Sequence, residues 1–240
     1  MLKYILSRLK KDPLDFIRRS LYKTIIESLK YGKGNDYDAA RYWHDRFSKY
    51  GLSLKGAGVE GLSEEENRKM YAEAAKVFTD LCRKENVDFQ SVNVLEIGPG
   101  TGFYAQILHD LGVKSYIGID ITDILFPELR KNFSQFRFTK KDITTEKIKG
   151  KFDLIIMINV IEHIVKESKL SLAMDNIKNC LSDNGIFIVS SIKNVSKRHI
   201  FYFRSWSLQD IKQRFHGYIF SEPVPFRTDH ILVIKKNVED

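Results

Sequence analysis

The sequence predicts an α/β fold in which a mostly parallel, seven-stranded sheet with a terminal antiparallel strand follows an N-terminal helical arm. Three observations carry this reading. Short runs of β-branched and aliphatic residues alternate with helically spaced apolar residues between positions 92 and 192, the pattern of a doubly wound parallel sheet. The first such run, Val94-Leu95-Glu96-Ile97, breaks into Gly98-Pro99-Gly100-Thr101-Gly102, behind which a helix begins at once. Two further strand patterns close the chain, the signature of an antiparallel pair at the end of the series.

The elements follow in order. Residues 1–33 hold nine lysines and arginines against three acids, so this stretch carries most of the net charge of +8. Its leucines and isoleucines recur at helical spacing on both sides of Asp12-Pro13, where Asp12 can cap a second helix that opens on Pro13. Such an arm can pack its apolar stripe on the main domain or on a second subunit, or lie on an anionic membrane surface. Its amphipathic character disfavours nucleic acid as the partner. Residues 31–36 read as a turn. The aromatic stretch 37–50 puts Tyr42, Trp43, Phe47 and Tyr50 at roughly helical spacing, and 51–61, with four glycines, is turn-rich. Ser63 and Glu66 form a capping box for a helix over 64–84. We divide the chain at this point: 1–85 as arm and substrate-side cap, 86–240 as the main domain.

Strands are expected at 92–97, 115–120, 136–143, 152–159 and 185–192, with helices over 103–111 and 168–181 between them. A loop over 193–203, a helix over 207–215 and strands at 216–222 and 228–235 complete the chain. Cys82 and Cys180 both fall in helical patterns, which points to a reducing compartment. The longest apolar run, 154–161, is too short to span a bilayer, and the N-terminus carries charges every few residues instead of a secretory core. A cytoplasmic protein, with peripheral membrane contact through residues 1–30 as an option, is the expectation.

The glycine loop allows close backbone approach to a ligand, and the helix behind it offers unpaired N–H groups. Asp120 ends the second strand about 20 residues further on, where a ribose diol would be held. With Lys141-Asp142-Ile143 and the run Phe152-Asp153-Leu154-Ile155 leading to Asn159-Val160-Ile161-Glu162-His163, the set resembles the class I S-adenosylmethionine-dependent methyltransferases, whose sheet is Rossmann-like. The resemblance covers roughly residues 90–192. It implies S-adenosyl-L-methionine as cofactor, with Gly98, Gly100 and Gly102 at its amino-acid part and Glu96 beneath the loop. Asp120 with Ile121 would meet the ribose, Asp142 with Ile143 the adenine, and Asn159 the same crevice.

A hydroxyl acceptor needs a base, for which His163 has the pKa. Tyr42, Trp43 and Arg46 are substrate-side candidates, because family members often lay an N-terminal helix over the site. Asn159 is followed by Val-Ile-Glu and not by the Pro-Pro-aromatic run of amide- and base-nitrogen methyltransferases. Those acceptors are disfavoured, and because the only strongly basic region is an amphipathic arm, a small-molecule or lipid-linked acceptor is expected over a macromolecule. The alternatives are an RNA 2′-O-methyltransferase with a metal at Glu162 and His163, completed by His199 or His230, and a non-catalytic subunit on the same fold. No metal site is assigned.

Overall fold

A computed structural model describes residues 13, 14 and 21–237, so the expected first arm helix, its neighbouring cap at Asp12 and part of the second arm helix lie outside the described residues. The arm enters as a π-helical turn, Tyr22–Glu27, continuing into α1 (Ser28–Tyr31). Helices α2 (Ala39–Tyr50) and α3 (Leu54–Ala57) follow, then α4 (Glu64–Lys84), whose capping box joins Ser63 to Glu66 as the sequence predicts. The sheet domain proper contains β1 (Asn93–Ile97), α5 (Phe103–Asp110), β2 (Ser115–Asp120), α6 (Phe126–Asn132), β3 (Arg137–Lys140) and β4 (Phe152–Met157). Then come α7 (Glu167–Cys180), β5 (Leu181–Lys193), β6 (Lys197–Ile200), β7 (Phe203–Ser207) and α8 (Leu208–Lys212). Strands β8 (Tyr218–Phe220), β9 (Val224–Phe226) and β10 (Asp229–Lys236) close the described chain.

The sheet runs β3-β2-β1-β4-β5-β10-β8. Pairs among β1 to β5 are parallel, whereas β10 runs antiparallel to both β5 and β8. The strand order reverses between β1 and β4, so the crevice at their carboxyl ends is the expected ligand position. Both faces of the sheet are covered, which is why its strands read as unbroken apolar runs instead of alternating ones. Val94, Leu154 and Ile156 point to one core, filled by Ala74 and Phe78 of α4, Ala105 and Leu108 of α5, and Phe126 and Leu129 of α6. Leu95, Ile155 and Met157 point to the other, against Leu170, Ala173, Met174 and Ile177 of α7. A third, aromatic cluster of Tyr31, Tyr37, Tyr42 and Phe201 joins the arm and α2 to the loop between β6 and β7.

Three expectations need correction. Residues 193–203 are not one loop: β5 continues to Lys193, and β6 and β7 form an antiparallel hairpin whose second strand lies parallel to β5. The fifth strand, expected at 185–192, begins earlier: β5 starts at Leu181 directly behind α7, so 181–184 are extended backbone. Between the two closing strands a third short strand, β9, pairs with β10 through Pro225 and Phe226. Pro225 is tolerated because, among the described residues, β9 pairs with β10 and no other strand.

Candidate active site

The carboxyl ends of β1, β2 and β4 open into a crevice enclosing about 1190 Å³, part of it open to solvent. Its floor is the loop after β1. Gly98, Gly100 and Gly102 all adopt left-handed φ, of 73°, 51° and 79°. A Cβ on Gly98 would collide with Val160 Cγ2, and one on Gly102 would lie 2.5 Å from Leu129 Cδ2. The loop backbone therefore sits as close to its neighbours as only glycine permits. The Gly98 N–H donates to the Ile119 carbonyl at 2.8 Å, tying the loop to β2.

Asp120 ends β2 at the crevice wall beside Ile121. Its Oδ1 accepts the Thr122 N–H at 3.1 Å. Burial pushes its carboxyl up to about 6, against backbone N–H groups of Thr122, Gly100 and Ile121 that act in the opposite direction. Asp142 also lines the crevice, and its Oδ1 accepts both the N–H and the hydroxyl of Thr144, at 2.8 and 2.6 Å. Ile143 beside it is buried, its carbonyl accepting from Asn176 Nδ2 at 2.8 Å. The Lys141 N–H donates to the Asp120 carbonyl at 2.8 Å, which fixes the two acidic strand ends relative to each other.

Glu96 stands elsewhere. It is buried on the other side of β1, does not line the crevice, and accepts the Tyr116 hydroxyl at 2.5 Å. Burial raises its carboxyl to about 7; the Tyr116 hydrogen bond lowers it and the Asp120 charge adds to the rise.

His163 is the last residue of a 3-10 turn, Ile161–His163, after β4 and lines the crevice. Its Nδ1 lies 3.0 Å from the Tyr202 carbonyl, which can only accept, so Nδ1 carries the proton and Nε2 the lone pair. Trp43 packs edge-on against the ring at 4.7 Å and Tyr202 stacks at 5.9 Å. Burial holds the imidazole below its ordinary pKa of 6.5, although the Glu162 charge and the Tyr202 hydrogen bond oppose the shift. A neutral imidazole with a fixed tautomer can accept a proton at Nε2.

Of the three substrate-side candidates, Trp43 alone lines this crevice. Tyr42 is buried in the aromatic cluster, stacked on Tyr202 at 4.7 Å. Arg46 donates to the carbonyls of Lys55, Gly56 and Gly58 and to the Tyr42 hydroxyl, at 2.5 to 3.1 Å, and so clamps α2 to the segment behind it. Adjacent helix positions diverge by about 100°, which is why Trp43 and Tyr42 part company.

Among the described residues no three His, Cys, Asp or Glu side chains come together as a metal site. Glu162 Oε1 lies 3.4 Å from Asn159 Nδ2, His199 Nε2 lies 2.6 Å from Ser205 Oγ, and His230 Nδ1 lies 3.3 Å from the Ile192 carbonyl.

Asn159 lines the crevice in a left-handed conformation, φ 54°. Its backbone N–H donates to Ser190 Oγ at 2.9 Å and its Nδ2 to Ser191 Oγ at 2.7 Å. Its Oδ1 accepts from Arg227 Nη1 at 2.7 Å. Arg227, in the turn between β9 and β10, is a crevice residue that sequence reasoning missed, as are Tyr71 and Tyr104. No motif marks them: Arg227 is a single basic residue between two short strands, and the tyrosines sit in ordinary helical stripes.

A family model described as a methyltransferase domain matches residues 37–223. Among curated proteins, the ribosomal protein L11 methyltransferase of Helicobacter acinonychis (strain Sheeba) is 27% identical over 146 residues, 57% of this chain and 42% of that protein. Its namesake from Staphylococcus saprophyticus is 28% identical over 131 residues, 50% of this chain and 38% of that one. The chain thus spans less than half the length of these relatives. Among solved structures, the magnesium protoporphyrin IX methyltransferase from Synechocystis PCC 6803 with bound S-adenosylmethionine superposes with a TM-score of 0.64 at 15% identity, covering 85% of this chain and all of that one (100%). An S-adenosylmethionine-dependent methyltransferase from Clostridium acetobutylicum ATCC 824 gives 0.59 at 15% identity, covering 79% and 98%. At these identities the superpositions speak to the fold.

Proposed function

This chain belongs to the methyltransferase-domain family, and from that premise we propose that it uses S-adenosyl-L-methionine to methylate a hydroxyl of a small-molecule or lipid-linked acceptor. The observation that carries the acceptor reading is His163: a neutral imidazole, its Nδ1–H anchored on the Tyr202 carbonyl, on the wall of the crevice.

The residues fit the cofactor. Three left-handed glycines in a cradle that a Cβ at Gly98 would close, with a half-buried carboxylate at the end of the next strand, are what a nucleoside with an amino-acid tail requires. The loop from Gly98 through Gly100 to Gly102 would hold the amino-acid part. Asp120 with Ile121 would hold the ribose, and Asp142 with Ile143 the adenine edge. Asn159 stands at the same crevice with its amide fixed by Ser191 and Arg227. Glu96 would act from beneath, through Tyr116 and the packing of β1 on β2. When bound, S-adenosylmethionine supplies an electrophilic methyl carbon.

The chain's own residues then have two tasks. Trp43, His163 and the walls of the crevice orient the acceptor and exclude water, which supplies most of the acceleration for an in-line transfer. His163 Nε2 takes the hydroxyl proton, and the Tyr202 carbonyl holds the resulting imidazolium through Nδ1–H. Residues 37–63 with α4 serve as the acceptor-side cap. The arm delivers the protein to a lipid surface or to a second copy of the chain.

The test of the hydroxyl reading is His163→Ala with an acceptor identified by mass spectrometry of molecules retained by the purified protein. Turnover should fall by about a hundredfold, while affinity for S-adenosylhomocysteine stays near that of the unsubstituted protein. Equal turnover would return His163 to a packing role. Loss of activity on adding a chelator would favour the alternative with a metal at Glu162 and His163.

A further inference from the structure

Arg227 is the group the crevice leaves without an account. Its guanidinium carbon lies over the Tyr71 ring, 3.9 Å from the centroid, and Nη1 donates to Asn159 Oδ1. The two nitrogens of the opposite edge, Nε and Nη2, are buried and have no hydrogen-bond partner among the described residues. Nor does Arg227 have an ion-pair partner there. The Tyr104 hydroxyl, on the same crevice, is likewise buried and unpartnered.

Among the described residues, three of the four non-glycine residues with left-handed φ meet in this one cluster: Asn159, Ser191 and Arg227, at 54°, 65° and 54°. Strain of that kind persists only where the surroundings hold it, and here Asn159 bonds both of the others. A buried guanidinium without a counter-charge, and two buried donors left unmade, are costly unless a ligand completes them. The Nε–Nη2 edge presents two parallel N–H groups, the fork that matches a carboxylate in the bidentate manner. The nearby protein carboxylates do not fill it. Glu96 is held by Tyr116, Glu162 lies beside Asn159 Nδ2, and Asp120 accepts from Thr122.

We infer that Arg227 and Tyr104 form a carboxylate-binding subsite of the crevice, with Arg227 positioned by its bond to Asn159 and by packing over Tyr71. The carboxylate can come from two sources, the amino-acid tail of the methyl donor or the acceptor itself. Only the first rests on the donor reading given above.

The experiment separates them. Isothermal titration of Arg227→Met and Tyr104→Phe is run with S-adenosylhomocysteine and with 5′-methylthioadenosine, which lacks the amino-acid carboxylate. If the donor's carboxylate is bound, Arg227→Met weakens S-adenosylhomocysteine by about tenfold to a hundredfold and leaves methylthioadenosine unchanged. If the acceptor's is bound, both nucleosides keep their affinity. Pentanoate and benzoate then raise the melting temperature of the unsubstituted protein, with and without S-adenosylhomocysteine, but not that of Arg227→Met, and the corresponding amides raise neither. Should Arg227→Met fail to fold by circular dichroism, Arg227→Lys and Tyr104→Phe carry the test, since lysine keeps the charge and loses the fork. Unchanged nucleoside affinity together with carboxylate shifts that are the same in all variants would overturn the subsite. Failure of both nucleosides to bind the folded, unsubstituted protein would overturn the donor reading instead, and the carboxylate series still decides Arg227.

Discussion

Two carboxylates, buried Glu96 and half-buried Asp120, make the protein respond to pH in ways that can be separated by substitution. Both have folded-state pKa values raised by burial, to about 7 and about 6 against ordinary values of 4.5 and 3.8. The stability each contributes is therefore fully present below its ordinary value and is lost as the pH rises through the folded one. His163 works in the reverse sense, because its depressed pKa contributes stability above 6.5 that is lost on acidification. The clean measurement is thus a difference between variants and not the pH profile of one protein. Glu96→Gln, which keeps an acceptor for the Tyr116 hydroxyl, should stabilise the protein at pH 8 by up to roughly 3 kcal/mol. The gain should fade between pH 7 and 4.5 and be absent below; thermal melts of both proteins across that range decide it. Asp120 gives a second expectation. As an ionised acceptor for the ribose hydroxyls it must be deprotonated to bind, so affinity for S-adenosylhomocysteine should fall about tenfold per pH unit below 6. In Asp120→Asn that dependence should vanish along with most of the affinity. A flat affinity profile in the unsubstituted protein would remove Asp120 from the ribose.

At the scale of elements, the loop after β1 is the part on which sequence and structure speak most directly to each other. Gly98 has both a left-handed φ of 73° and no room for a Cβ against Val160. Gly98→Ala should therefore destabilise the protein by about 1–3 kcal/mol and abolish cofactor binding. Adding Val160→Ala removes the collision but not the φ penalty, so titration and denaturant melts should find stability recovered in part and binding still impaired. Full recovery of both would make Gly98 a packing residue only. The β-α-β series was legible because its strands are buried on two faces and its turns are marked by glycine and acid. Ser63 and Glu66 likewise announced α4. The hairpin of β6 and β7 was not legible, since Lys197-Arg198-His199-Ile200 lacks the alternation of a half-buried strand and pairs with β7 alone. Nor was the Asn159–Arg227 bond, which joins residues 68 apart through a left-handed turn with no glycine to mark it. Sequence spacing located the ends of parallel strands; it could not report which side chains the returning antiparallel strands bring back over them.

Among the described residues, the arm carries a cluster of exposed apolar side chains. Along the arm Leu21, Tyr22, Ile25, Ile26 and Leu29 are exposed, Leu29 to 79%, while Tyr31 at its end is buried in the aromatic cluster beneath the crevice wall. Lys23 pairs with Glu60 and Lys30 with Asp45, so the other side of the arm is held on the segments that follow it. None of the described helices is long and apolar enough to cross a membrane. A stripe of leucine and isoleucine next to lysines suits an interfacial position, where each basic residue near an anionic surface contributes about 1 kcal/mol. It suits equally a second copy of the chain. The triple substitution Leu21→Ser, Ile25→Ser and Leu29→Ser distinguishes the two, because exposed positions should change stability by no more than about 0.5 kcal/mol each. If the stripe meets lipid, the unsubstituted protein sediments with phosphatidylserine vesicles at low salt, is released as salt rises, and the triple variant stays in solution with an unchanged melting temperature. If it meets a second copy, the unsubstituted protein ignores vesicles and runs as a dimer by light scattering, and the variant runs as a monomer. A protein that is monomeric and indifferent to vesicles at low salt in both forms would leave the arm no partner of either kind, and the lipid-linked acceptor would lose its physical support in favour of a soluble one.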